Sequence, residues 1–250
     1  YGQGLADVVE KVAKEKGIKV VAREFATDKT TDFNAILTKI RGTKPDVVFY
    51  GGMDATAGPM ANQMKQLGIK SVLLAGDGVC SPEFIKLAGD AAGIMHCSMA
   101  GEAVEKLAKG AEFKAKFKAA FNQDVQIYSP YSYDAVYIIA DAAKRAGKAD
   151  RAAITAAMPA TSFPGLTGTI AFDEKGDIKG GAISMFKVSA DKLEYISTVR
   201  SAPRSIRAGT FGCRLFLSLR RAAGALLRCA VACRSGSTVR STKDQWTPSS

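Results

Sequence analysis

A doubly wound α/β fold with a parallel sheet is what this sequence predicts, and three observations predict it. Strand-like and helix-like segments alternate through the first hundred residues with a strand-to-strand pitch of about 25 residues, that of right-handed βαβ units. The strand candidates are short, continuous apolar runs such as DVVFY at 46–50, the pattern of a parallel strand buried on both faces. Three of these runs end in glycine-containing turns, YGGMD, AGDG and SMAG, at the strand end where α/β sheets open their ligand crevice.

The elements follow in order. YGQGLADVVEKVAKEKG reads as a helix with Leu5, Val8, Val9 and Val12 on one face and Gly17 as its stop, yet no strand precedes it. Residues 18–25 form a strand, 32–40 a helix, 46–50 a strand and 57–67 a helix that ends at Gly68. A strand over 71–75 follows, and Ser81 then stands before Pro82 as N-cap and first helical position of a helix continuing through Phe84 to Ala88. Residues 94–99 make the next strand.

Charge is unevenly divided. The formal net charge of +11 would point to an anionic partner if it covered a folded surface, but residues 202–250 hold nine basic residues, eight of them Arg, against one acidic residue. The rest of the chain is close to balance, so nucleic acid is not an expected partner. This C-terminal stretch also holds Cys213, Cys229, Cys233 and the only Trp. One reading is an amphipathic surface helix, because Arg207, Arg214, Arg221 and Arg228 recur every seven residues beside Leu215, Phe216, Leu219 and Leu226. The preferred reading is a non-native or disordered Arg-rich tail that makes few contacts with the body. No Arg-free apolar run approaches the ~20 residues of a membrane span, so membrane insertion is not expected. Cys229 and Cys233 lack the further Cys and His partners of a zinc site, and no metal is expected.

Gly in a βα turn usually serves only a positive φ. Asp77, between two glycines at a strand's carboxyl end, stands out: it either holds a cation such as an ammonium group or closes an Asx-turn. Cys80 and Cys97 either form a disulfide or remain two buried thiols. His96, the only histidine, reads as a packed strand residue, and without a second histidine no Ser-His-Asp constellation can form around it. An enzyme is not expected. A Rossmann-type nucleotide-binding domain is the weak rival, since neither YGQGLA nor YGGMDATAG supplies G-x-G-x-x-G after a strand with an acidic residue about 20 positions on. No cofactor is expected.

YGQGLAD, DVVFYGGMDATAGPMANQMKQLGIK, AGDGVCSPEF, YSPYSYDAVYIIADAAKRAG and TGTIAFDEKGDIKGG together resemble the periplasmic leucine/isoleucine/valine-binding proteins, the solute receptors of branched-chain amino-acid ABC transporters. The resemblance runs in order through about residues 1–200. It implies the type I periplasmic-binding-protein fold, two α/β lobes joined by three crossovers that close on an amino acid. It divides the chain into a second-lobe α/β domain (1–104), a helical remainder of the first lobe (105–165), crossover and closing strands (166–201) and the tail (202–250). It further implies that the first lobe's opening half, with the groups that take the ligand's carboxylate, precedes Tyr1, and that the chain, as a fragment, is impaired in binding. Carried over, Tyr1 matches a tyrosine on the second-lobe face of the cleft, Asp77 the acidic position that receives the ligand's ammonium group, Met53 a position where other members have an aromatic, and Tyr131 an aromatic wall. Packing at a helix start explains Tyr131 and Tyr133 equally well. The implied function is delivery of a branched-chain or related amino acid to an ABC-transporter permease from the periplasm, although this chain shows no signal peptide; a ligand-sensing domain of the same fold is the alternative.

Overall fold

The computed structural model describes residues 1–189, 191–200 and 228–234. Its central feature is a seven-stranded mixed sheet in the order β1-β9-β2-β3-β4-β7-β8. The strands are β1 (Lys19–Ala26), β2 (Val47–Gly51), β3 (Val72–Ala75), β4 (Met95–Ala100), β7 (Ala182–Ser189), β8 (Lys192–Arg200) and β9 (Arg228–Arg234). From β1 to β4 all neighbours are parallel, whereas β7 and β8 add an antiparallel hairpin at the β4 edge. The four strands expected in the first hundred residues therefore lie within a residue or two of their predicted ends.

Helices cover both faces, as βαβ crossovers require. On one face α2 (Asn34–Thr43), α3 (Asp54–Gln66) and α4 (Pro82–Ala88) bury Leu37, Ile40, Met60, Met64 and Phe84 against Val48, Tyr50 and Leu73. Ser81 caps α4 as its position predicts, its hydroxyl accepting from Phe84 N at 3.1 Å. The opposite face belongs to α1 (Gly2–Glu15), which packs on Val47, Phe49 and Leu74. Its buried stripe is Gly2, Ala6, Val9, Val12 and Ala13, while Val8, expected on the inner face, is exposed. At about 100° per residue Val8 lies well off the stripe formed by Gly2, Ala6, Val9 and Ala13, so it faces outward. Arg23 on β1 reaches back to Asp7 and Glu10 and ties α1 to the edge strand.

The tail departs from expectation. Residues 228–234 form β9, parallel to both β1 and β2, paired from Lys19↔Arg228 to Ala26↔Arg234 on one side, with one register shift between Val20 and Ala22, and from Val47↔Cys229 to Gly51↔Cys233 on the other. The expectation of few contacts with the body fails for this segment. The physical reason is that β1 and β2 do not pair with each other, so they leave a slot one strand wide, and Cys229 and Ala230 are apolar and small enough to enter it. Cys229 and Ala230 are both fully buried, on opposite faces of the sheet. Burial pushes the Cys229 thiol up to about 12. The readings made for Arg207, Cys213, Arg214 and Arg221, and for the rest of 201–227 and 235–250, lie outside the described residues.

Between β4 and β7 the chain forms a helical unit of α5 (Gly110–Phe121), α6 (Ser129–Ala146) and α7 (Arg151–Ala157), followed by the hairpin β5 (Ser162–Gly165) and β6 (Gly168–Ala171). Asp134, only 2% exposed, holds α6 to this hairpin by accepting from Leu166 N, Thr167 N and Thr167 Oγ1 at 2.6–2.8 Å. The outward face of α5 and α6 is aromatic, with Phe113, Phe117, Phe121, Tyr133 and Tyr137 in successive ring contacts. Tyr133, Val136, Tyr137 and Ile139 are exposed on it. Among the described residues no helix is long and apolar enough to cross a membrane.

Candidate functional site

The site begins with a close approach of two glycines. At the carboxyl end of β2, Gly51 lies against Gly2: a Cβ added to Gly2 would stand 2.0 Å from Gly51 O, and one added to Gly51 would stand 2.3 Å from Gly2 O. Only glycine at both positions lets the start of α1 touch the end of the strand. Tyr1 is thereby carried over the neighbouring strand end, where β3 passes into Gly76-Asp77-Gly78.

There the Tyr1 hydroxyl donates to Asp77 Oδ1 at 2.5 Å, and Gly78 N donates to the Tyr1 oxygen at 3.4 Å. The second carboxylate oxygen, Asp77 Oδ2, accepts from Tyr128 Oη at 2.9 Å. Tyr128 is the residue just before α6, so Asp77 is gripped by one phenol from the start of α1 and one from the helical unit. Both phenols stay protonated well above the ordinary tyrosine range, first because they are desolvated and then because each donates to Asp77; Tyr128 is pushed up to about 12. Two neutral donors on a carboxylate leave lone pairs for a cationic group.

Asp77 and Tyr128 line a cleft of about 300 Å³ together with Met53, Asp54, Ser81 and Lys86. Asp54 accepts from Ser81 Oγ at 2.6 Å, and Lys86 pairs with Glu83 at 3.3 Å, so these polar groups are already engaged. Met53 stands at the rim, 44% exposed. Among the described residues no group of His, Cys, Asp and Glu is arranged to hold a metal.

Of the residues singled out from sequence, the fold brings Tyr1, Met53 and Asp77 together. Tyr131 stands apart from the cleft: its hydroxyl donates to Ala100 O at 2.5 Å, directly over Gly101, and so ties the start of α6 to the exit of β4. The tyrosine that reaches Asp77 is Tyr128, three residues earlier and not singled out from sequence; no local feature of IYSPY sets it apart from Tyr131. Cys80 and Cys97 are joined by a disulfide, with Cα atoms 5.5 Å apart. His96 lies in β4 and is half-buried, and desolvation lowers its pKa.

A mostly parallel sheet wound on both faces, with a cleft outside the carboxyl ends of its strands, is the frame of a doubly wound α/β protein. Comparison with known proteins gives the family. Residues 1–192 match the family model described as "Periplasmic binding protein", and the chain belongs to that family, one of substrate-binding proteins. It is 36% identical over 189 residues to the "Leu/Ile/Val-binding protein homolog 1" of Brucella abortus, covering 75% of this chain and 50% of that protein. It is 32% identical over 191 residues to the "Leucine-, isoleucine-, valine-, threonine-, and alanine-binding protein" of Pseudomonas aeruginosa, covering 76% and 51%. The chain thus spans about half the length of the curated relatives it matches. Among solved structures it resembles the branched-chain amino acid transporter substrate-binding protein LivJ of Streptococcus pneumoniae in complex with isoleucine, at 28% identity and a TM-score of 0.64 over 72% of this chain and 52% of that one. The leucine-binding protein LivK of Thermotoga maritima shares the fold at 22% identity, with a TM-score of 0.66 over 78% and 64%.

Proposed function

We propose that this chain carries the ammonium-binding part of an amino-acid receptor site, in a protein that delivers a branched-chain or related amino acid to an ABC-transporter permease. The observation that carries this reading is the Asp77 carboxylate, held by two phenols at the carboxyl ends of parallel strands and facing a cleft sized for a small molecule. Phenols that keep their protons orient the anion without neutralising it, and an α-ammonium group then gains a charge-assisted hydrogen bond. Met53 offers a soft, polarizable wall for an aliphatic side chain. In this reading Tyr131 contributes by fixing the start of α6 over Ala100 and Gly101. The Cys80–Cys97 bond suits an oxidising compartment, which supports a periplasmic site of action.

The described residues surround the ligand from one side, and affinity in closing receptors comes from both. The 250-residue chain is therefore expected to bind leucine weakly. NMR titration with leucine, followed at the Asp77 and Gly78 amides, tests the reading. Asp77→Asn keeps the shape of the site and removes its charge, which should weaken binding roughly ten- to a hundredfold. Leucine affinity unchanged in that variant rejects the assignment.

A further inference from the structure

We propose that Tyr128 is a positioning residue of the cation site, fixing the plane of the Asp77 carboxylate from the helical unit so that its free lone pairs face the cleft. The inference rests on the proposed reading of Asp77 as the ammonium acceptor and deepens it.

The torsion that turns a carboxylate about its last carbon–carbon bond is broad and roughly two-fold, so a single donor leaves the plane loosely set. Here the two oxygens have separate donors that arrive from separate elements, Tyr1 before α1 at 2.5 Å and Tyr128 before α6 at 2.9 Å. Opposed donors on opposite oxygens resist rotation in either sense. A carboxylate has about four lone-pair sites, so the two hydrogen bonds leave about two for a ligand. Tyr128 is itself well placed to act as a fixed donor. Its neighbour Ile127 packs against the main core, and its carbonyl accepts from Ser132 N at 3.0 Å in the first turn of α6. Its ring also walls the cleft, so ligand, carboxylate and helical unit meet at one phenol.

Tyr128→Phe removes the hydroxyl and keeps the ring. In the full 250-residue chain, leucine binding should weaken about three- to tenfold in this variant, as expected for losing the alignment of one charge-assisted bond. Binding of isopentyl alcohol, which has the branched skeleton and no charge, should stay unchanged. In an Asp77→Asn background the Tyr128→Phe change should have no further effect on leucine. Circular dichroism establishes that each variant is folded. Unchanged leucine affinity in Tyr128→Phe, with Asp77→Asn still weakening it, overturns the role of Tyr128 and leaves the site reading intact. Equal weakening for leucine and the alcohol, or an effect that persists without the Asp77 charge, identifies a wall contact and also overturns the proposal. Leucine binding indifferent to Asp77→Asn removes the site reading and this inference with it.

Discussion

Ala230→Asp is the sharpest test of how this sheet is built. Ala230 is 0% exposed, and its register partners are Ala22 on β1 and Val48 on β2. A carboxylate placed there has apolar neighbours on the core face, so it is held neutral at a pKa raised by up to ~3–5 units; at pH 7 this costs about 4 kcal/mol, the cost of protonating a group whose unfolded pKa is about 3.9. Overpacking adds roughly 1–3 kcal/mol. Set against a total stability of about 5–15 kcal/mol, this leaves two outcomes: global unfolding, or expulsion of β9 from the sheet. Expulsion has its own signature, because β1 pairs with no strand other than β9 among the described residues. Urea unfolding followed by circular dichroism should show a midpoint well below that of the parent chain. Hydrogen exchange should show residues 19–26 losing protection together with 228–234. Because the raised folded-state pKa penalises the ionised form, the loss should shrink as pH falls toward 4. Ala230→Ser, nearly the same volume and uncharged, should be much milder. A stability within ~0.5 kcal/mol of the parent, with 19–26 still protected, would refute the placement of β9.

Three further outcomes are expected. Replacing Cys80 and Cys97 together by Ala opens a link between residues 17 apart and should lower stability by about 3 kcal/mol; equal urea midpoints for the variant and the parent would count against a bond that constrains the chain. Desolvation lowers the folded-state pKa of His96 below its unfolded value, so its contribution to stability is present above about pH 6.5 and is lost as pH falls through the lowered value. His96→Gln should flatten the fall in unfolding midpoint between pH 7.5 and pH 5.5, and an identical slope in the variant would assign that fall to other groups. An exposed apolar face such as that of α6 favours self-association, so changing Val136, 66% exposed, and Ile139 both to Lys should lower the oligomer fraction in sedimentation velocity; a monomeric parent chain, or identical distributions for both proteins, would show that this face does not drive association.

What the sequence determined by itself is local and periodic. Apolar runs at 46–50 and 71–75, glycine stops at Gly17 and Gly68, and the Ser81-Pro82 cap depend on neighbours a few residues away, and the structure follows them within a residue or two at most boundaries. Asp77 was legible for the same reason, since a carboxylate between two glycines after a strand announces its own exposure at the strand end. Only the tertiary structure decided the contacts between distant segments. Composition set residues 202–250 apart from the body, and no local rule connects Cys229 and Ala230 with a slot between β1 and β2, because that slot exists only once both strands are docked. In the same way nothing in IYSPY distinguishes the tyrosine that reaches Asp77 from the one that caps Ala100. Three residues separate Tyr128 from Tyr131, yet in the fold the first hydroxyl meets the carboxylate and the second a backbone carbonyl. Propensity and pattern are properties of a few neighbouring residues, whereas burial and hydrogen-bond partners across the fold are set by which surfaces remain to be covered after the elements have formed.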